Sequence, residues 1–153
     1  MQYPSLVIRA AVVVTGAVLL APAAASAHVT VWPRESQAGA SERYVVRVPT
    51  EGQVTTIAVE LEIPADVTVS GVLAGAGFVY EARREGNRII AITWKQEIKP
   101  AEVGEFVFFA RNPKAGQIAW KARQRFADGT SADWIGVEGD RRPASVTQLK
   151  GAQ

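Results

Sequence analysis

The chain has 153 residues, with seventeen Lys or Arg against fifteen Asp or Glu, a single histidine and no cysteine. The missing cysteines exclude a disulfide scaffold, thiolate metal sites and a cysteine nucleophile. A net charge of +2 with the two signs interspersed excludes the concentrated basic face that nucleic acid requires as a partner.

Residues 1–27 carry the three parts of a secretory leader: the lone positive charge of Arg9, an apolar run from Ala10 to Leu20, and the small-x-small signature Ala25-Ser26-Ala27. The run is too short for a membrane span, which needs about 20 apolar residues. Cleavage is expected after Ala27, with no membrane segment retained and the product periplasmic or extracellular. The 48 % hydrophobic content is inflated by this leader. Removing 27 residues from 153 leaves 126, with a net charge of +1 once Arg9 is gone. That is enough chain for one domain with its own core.

From His28 onward the pattern is strand after strand. Tyr44, Val46 and Val48 alternate with Arg43 and Arg47, the period of two that marks a half-buried strand. Thr55, Ile57, Val59, Leu61 and Ile63 form a second such series, set against Glu60 and Glu62. Further β-rich runs cover 78–82, 88–94, 105–111 and 130–136, and Ile118, Trp120, Ala122 and Phe126 oppose Lys121, Arg123 and Arg125. Gly86-Asn87 and Asp128-Gly129 read as hairpin turns. Pro49, Pro64, Pro100 and Pro113 mark strand ends, where a missing N–H does least harm. No stretch holds a helical period. The expected fold is all-β, an immunoglobulin-like or cupredoxin-like β-sandwich of eight or nine strands over residues 28–139, followed by a loose tail over 140–153.

The sole histidine coincides with the cleavage point. A histidine at a free amino terminus offers one metal two nitrogens, its α-amine and the nearer ring nitrogen. In the precursor that backbone nitrogen is a planar amide with no available lone pair. Processing would create the site. Nitrogen ligands of this kind suit Cu(II), which heads the divalent affinity order, whereas Zn(II) normally takes more strong protein ligands than one histidine supplies. A further ligand must be a carboxylate. Glu102 and Glu105, just ahead of the aromatic run Phe106-Val107-Phe108-Phe109, are candidates, and spacing alone does not choose between them. A carboxylate at such a strand head can equally serve only to deter edge pairing. Trp32, Trp94, Trp120 and Trp134 are core aromatics by default. Trp134, near the end of the last strand, is also placed to lie beside a metal.

Ala27-His28-Val29-Thr30-Val31, Ala38-Gly39-Ala40 and Val45-Val46-Arg47-Val48-Pro49 together resemble the YcnI-like family of bacterial copper-binding domains. Ile92-Thr93-Trp94, Glu105-Phe106, Phe126-Ala127-Asp128-Gly129 and Trp134-Ile135-Gly136 extend the resemblance over the whole mature domain. It implies an all-β sandwich that binds Cu(II) through a mono-histidine brace at His28. It also implies an assisting glutamate, best matched by Glu105 with Glu102 second, and a tryptophan beside the metal, matched by Trp134. Copper trafficking or homeostasis follows from it, with a membrane copper transporter or another exported copper chaperone as partner. A copper-dependent oxidative enzyme would need a second histidine for its brace. A hydrolase would lack a general base once His28 is committed to the terminus, so the chain is not expected to be an enzyme. A metal-free interaction module is the remaining alternative, since sandwich folds host many.

Overall fold

The computed structural model describes residues 28–151, so the predicted leader over 1–27 lies outside the described residues. Among them the secondary structure is all β, and no helix is long and apolar enough to cross a membrane. Twelve strands form three sheets. The first, in the order β1-β3-β8-β5, joins β1 (Thr30–Trp32), β3 (Ser41–Pro49), β8 (Val103–Arg111) and β5 (Thr68–Val72). The second runs β11-β10-β4-β7-β6, from β11 (Ser131–Trp134) and β10 (Ala122–Phe126) through β4 (Thr56–Glu62) and β7 (Arg88–Ile98) to β6 (Val79–Glu85). A small third sheet sets β12 (Ser145–Lys150) between β2 (Glu35–Gln37) and β9 (Gln117–Trp120).

The core lies between the two large sheets and follows from alternation. Tyr44, Val46 and Val48 of β3 are fully buried while Arg43 and Arg47 face outward. Phe106 and Phe108 repeat this on β8, and Leu61, Ile92 and Trp94 close the core from the facing sheet. Trp94 stacks on Phe106 with centroids 5.3 Å apart, and Tyr44 stacks on Phe108 at the same separation. Burying side chains of this size contributes roughly 1.5–3 kcal/mol each, which accounts for stability without cross-links. Gly86 and Gly129 occupy the two expected hairpin turns with φ of 55° and 84°, values that a side chain disfavours.

Four expectations need correction. The strand count is twelve, not eight or nine, because short segments such as β1, β2 and β9 pair too briefly to leave a periodic trace. Residues 145–150 form β12, not part of a loose tail; it runs parallel to β2 and antiparallel to β9. Its inward positions are Ser145 and Thr147, polar residues buried because their hydroxyls are bonded, so the hydrophobic signal is missing. Ile57 is exposed while Thr56 and Ala58 are buried, because the β4–β7 register shifts between Thr56 and Ala58 and inverts the side-chain parity there. Trp32 lies 44 % exposed, with the Arg34 guanidinium over its ring, and is not a core aromatic.

Candidate metal centre

β1 is an edge strand of the first sheet and β11 an edge strand of the second, and His28 sits just ahead of β1. Val29 and Val31 are buried at 2 % and 1 % exposure, so the strand is anchored by its inward residues. Val31 N donates to Ser145 Oγ at 2.8 Å, which ties this strand to β12. His28 is thereby delivered half-buried to one corner of the sandwich. Its imidazole lies against the Trp134 indole, with centroids 5.2 Å apart and the planes tilted by 51°.

Trp134 is held in turn by a buried polar chain. Its Nε1 donates to Gln124 Oε1 at 3.2 Å. Gln124, 1 % exposed, donates through Nε2 to the Pro49 carbonyl at 2.9 Å and to Thr56 Oγ1 at 2.7 Å. Thr56 Oγ1 lies 2.7 Å from Thr50 Oγ1, which donates to the Ile98 carbonyl at 2.9 Å. Every polar atom of the Gln124 amide thus has a partner, the condition under which a buried amide is tolerated. Gln124 stands on the buried parity Ile118-Trp120-Ala122-Gln124. A glutamine interrupting that otherwise apolar series was the signal that could have marked it.

The carboxylates are placed differently. Glu105 is exposed on the outer face of β8 and bonded to Arg47 Nε at 2.9 Å, its cross-strand neighbour on β3. Since β3 lies between β8 and β1, Glu105 is two strand spacings from the first strand, roughly 9–10 Å. Glu102 closes the turn before β8, its Oε2 accepting the Lys99 N–H at 2.8 Å. The structure brings His28 and Trp134 together and leaves both glutamates on the far side of β3. Continuing the β1–β3 register, in which Thr30 faces Arg47, by two residues sets His28 across from Pro49. The carboxylate nearest along that strand is exposed Glu51, which sequence spacing did not single out. Among the described residues no group of three or more His, Cys, Asp or Glu side chains is gathered to hold a metal ion. With a single histidine in the chain, a multi-histidine cage is excluded.

Two packed antiparallel sheets with a histidine opening one edge strand and a tryptophan against it define an immunoglobulin-like sandwich with a candidate metal corner. The family described as Domain of unknown function (DUF1775) matches residues 28–149, beginning at His28 itself. The chain belongs to this family, the YcnI-like group named above. It is 34 % identical over 144 residues to the Copper-binding protein CutI of Bacillus subtilis (strain 168), spanning 92 % of this chain and 71 % of that one. Among solved structures, a protein from Nocardia farcinica with an immunoglobulin-like fold superposes with a TM-score of 0.70 at 24 % identity, over 80 % of this chain and 97 % of that one. A non-cellulosomal cohesin from the archaeon Archaeoglobus fulgidus superposes with a TM-score of 0.50 at 16 % identity, over 81 % and 91 %. These two likenesses concern the fold.

Proposed function

We propose that the chain is an exported Cu(II)-binding protein that holds its cargo through the amine and imidazole of His28 after cleavage following Ala27. The observation that carries this reading is the placement of the only histidine, which opens the family match and lies against Trp134. Copper supplies a strong preference for nitrogen donors in a plane. The protein supplies position. Val29 and Val31 fix where the chain emerges, Gln124 fixes the indole, and the indole limits water access to one side of the imidazole. The indole N–H is spent on Gln124 and is in any case only a donor, so Trp134 shields without ligating. Glu105 can assist only by giving up Arg47, and Glu51, two residues beyond the end of β3, is the other carboxylate to be tested. A site with so few protein donors exchanges its metal readily, which suits delivery to a membrane transporter or another exported chaperone.

The test compares two proteins, one beginning at His28 and one retaining a single extra residue before it. Each is titrated with Cu(II) and followed by electron paramagnetic resonance. A one-to-one, nitrogen-rich signal only in the form beginning at His28 is expected. Equal binding by both forms would remove the free amine from the ligand set, and binding by neither would favour a metal-free interaction module.

A further inference from the structure

The outer face of the five-stranded sheet carries paired charges, Arg123 with Asp133 and Lys95 with Glu81, beside isolated exposed apolar residues such as Ile57 and Val79. On the four-stranded sheet an apolar row runs across the strands. Trp32 of β1 faces Val45 of β3, Val45 faces Val107 of β8, and Leu73, just beyond β5, donates its N–H to the Val107 carbonyl. Phe109 stands in the next outward position of β8. Trp32, Leu73 and Phe109 remain 44 %, 46 % and 38 % exposed. A contiguous apolar strip on a sheet already packed on its other side marks an interaction surface. Its aromatic and arginine content is that of a protein interface centre.

The charges around the strip say what covers it. Arg47 is neutralised by Glu105. Arg43, cross-strand from Phe109, and Arg111, two residues further along β8, both point outward and have no acidic partner among the described residues. We propose that this face docks a protein partner whose contact surface has an apolar centre bordered by Asp or Glu at the Arg43–Arg111 end. A second copy of the chain fits poorly, because the outward acid that this face offers, Glu105, is already paired with Arg47. A lipid surface fits poorly too, since anionic membranes are read by clusters of about four to eight basic residues. Trp32 is four residues from His28, about 13 Å along an extended chain. A partner burying a standard patch of about 800 Å² therefore reaches the His28 corner. Docking itself needs no metal; only its use in copper transfer rests on the function proposed above.

The test places a photoreactive benzophenone side chain at position 109 of the full chain, with a control at Arg83 on the opposite outer face, in cells of the producing organism. A protein captured at 109 and not at 83 is purified and titrated with metal-free mature domain. Support requires three results: binding that weakens about tenfold or more between 50 and 300 mM salt, a loss of about thirtyfold or more in the Arg43→Glu/Arg111→Glu variant, and recovery when acidic residues of the partner are changed to Arg. Both arginines are exposed, so circular dichroism should show that variant folded. Capture of lipid or of the chain's own copies only, capture no stronger than at the control, or partner binding unmoved by the charge reversal overturns the proposal. Binding of metal-free domain to phosphatidylglycerol vesicles with the same arginine dependence also overturns it, in favour of a membrane. Because the binding titrations use metal-free domain, a failed copper titration leaves this result standing.

Discussion

Trp134 gives its indole N–H to the side-chain carbonyl of Gln124 at 3.2 Å, so the ring that faces His28 is set by a glutamine on the neighbouring strand. Gln124 touches no candidate ligand. Its contribution is to the position of one that does.

Gln124→Leu should therefore act at two levels. It leaves the Pro49 carbonyl and Trp134 Nε1 without the Gln124 partner, while Thr56 Oγ1 keeps Thr50 Oγ1, and unsatisfied buried groups cost about 1–3 kcal/mol each before relaxation. A loss of about 2–4 kcal/mol is expected in urea unfolding, together with weaker Cu(II) binding in the protein that remains folded. Wild-type affinity in this variant would show that the indole's orientation is irrelevant to the site.

Trp134→Phe keeps an aromatic ring but removes the Nε1 bond and part of the cover over His28. The fold should persist, and Cu(II) affinity should change by less than about tenfold. Copper-dependent quenching of tryptophan fluorescence should fall sharply, since the ring nearest His28 is gone. A collapse of affinity with an intact fold would make Trp134 more than a shield.

The three glutamates separate by spectroscopy. Glu51→Gln should alter the copper resonance signal, whereas Glu102→Gln should leave it unchanged. Glu105→Gln should cost well under 1 kcal/mol of stability, because its bond to Arg47 is half-exposed on both sides. A changed copper signal in Glu105→Gln, with none in Glu51→Gln, would mean that Glu105 leaves Arg47 to reach the metal.

Tyr44 supplies a pH prediction. Burial, reinforced by nearby Glu42, pushes its phenol from 10.0 up to about 12. The protonated phenol donates to Asn112 Oδ1 at 2.6 Å. The folded state holds this proton where the unfolded state has released it, so the stabilisation is complete below about pH 10 and is lost as pH rises towards 12. The loss is on the order of 3 kcal/mol. Denaturation followed between pH 9 and 12 should show this decline, and Tyr44→Phe should flatten it.

Gly136→Ala should destabilise the loop between β11 and β12. A Cβ at this position would collide with the Asp140 side chain and press on the Arg142 carbonyl at 3.0 Å. Gly136 also donates to Arg142 O and accepts from Ala144 N, so the collision cannot be relieved without breaking the loop's own bonds. A loss of about 1–3 kcal/mol and faster proteolysis near residue 140 are expected. Unchanged unfolding would show that the loop shifts freely.

The outline of the sandwich was legible because Tyr44, Val46 and Val48, like Phe106 and Phe108, bury alternate positions of long strands. β12 was not legible, because its inward face is built from Ser145 and Thr147. At the candidate centre, His28 stood out because it is alone and falls at a cleavage signature, and Trp134 was singled out with it; the contact between them is tertiary and could not be read. The choice among glutamates was equally hidden. Proximity to His28 depends on which strand lies beside β1, and that is a property of sheet order, not of spacing. Gln124 was visible only as an exception in an apolar series.

The hydrogen bond from Val31 to Ser145 joins residues 114 positions apart. The corner that carries His28 is therefore among the first parts of the domain to be made and among the last to be finished. A chain emerging amino end first carries an unassembled His28 corner until β12 arrives to lock β1 in place. Any premature capture of metal by His28 would take place on a flexible segment, without Trp134 to cover it. The cover that Trp134 gives His28 is complete only when the whole domain has closed.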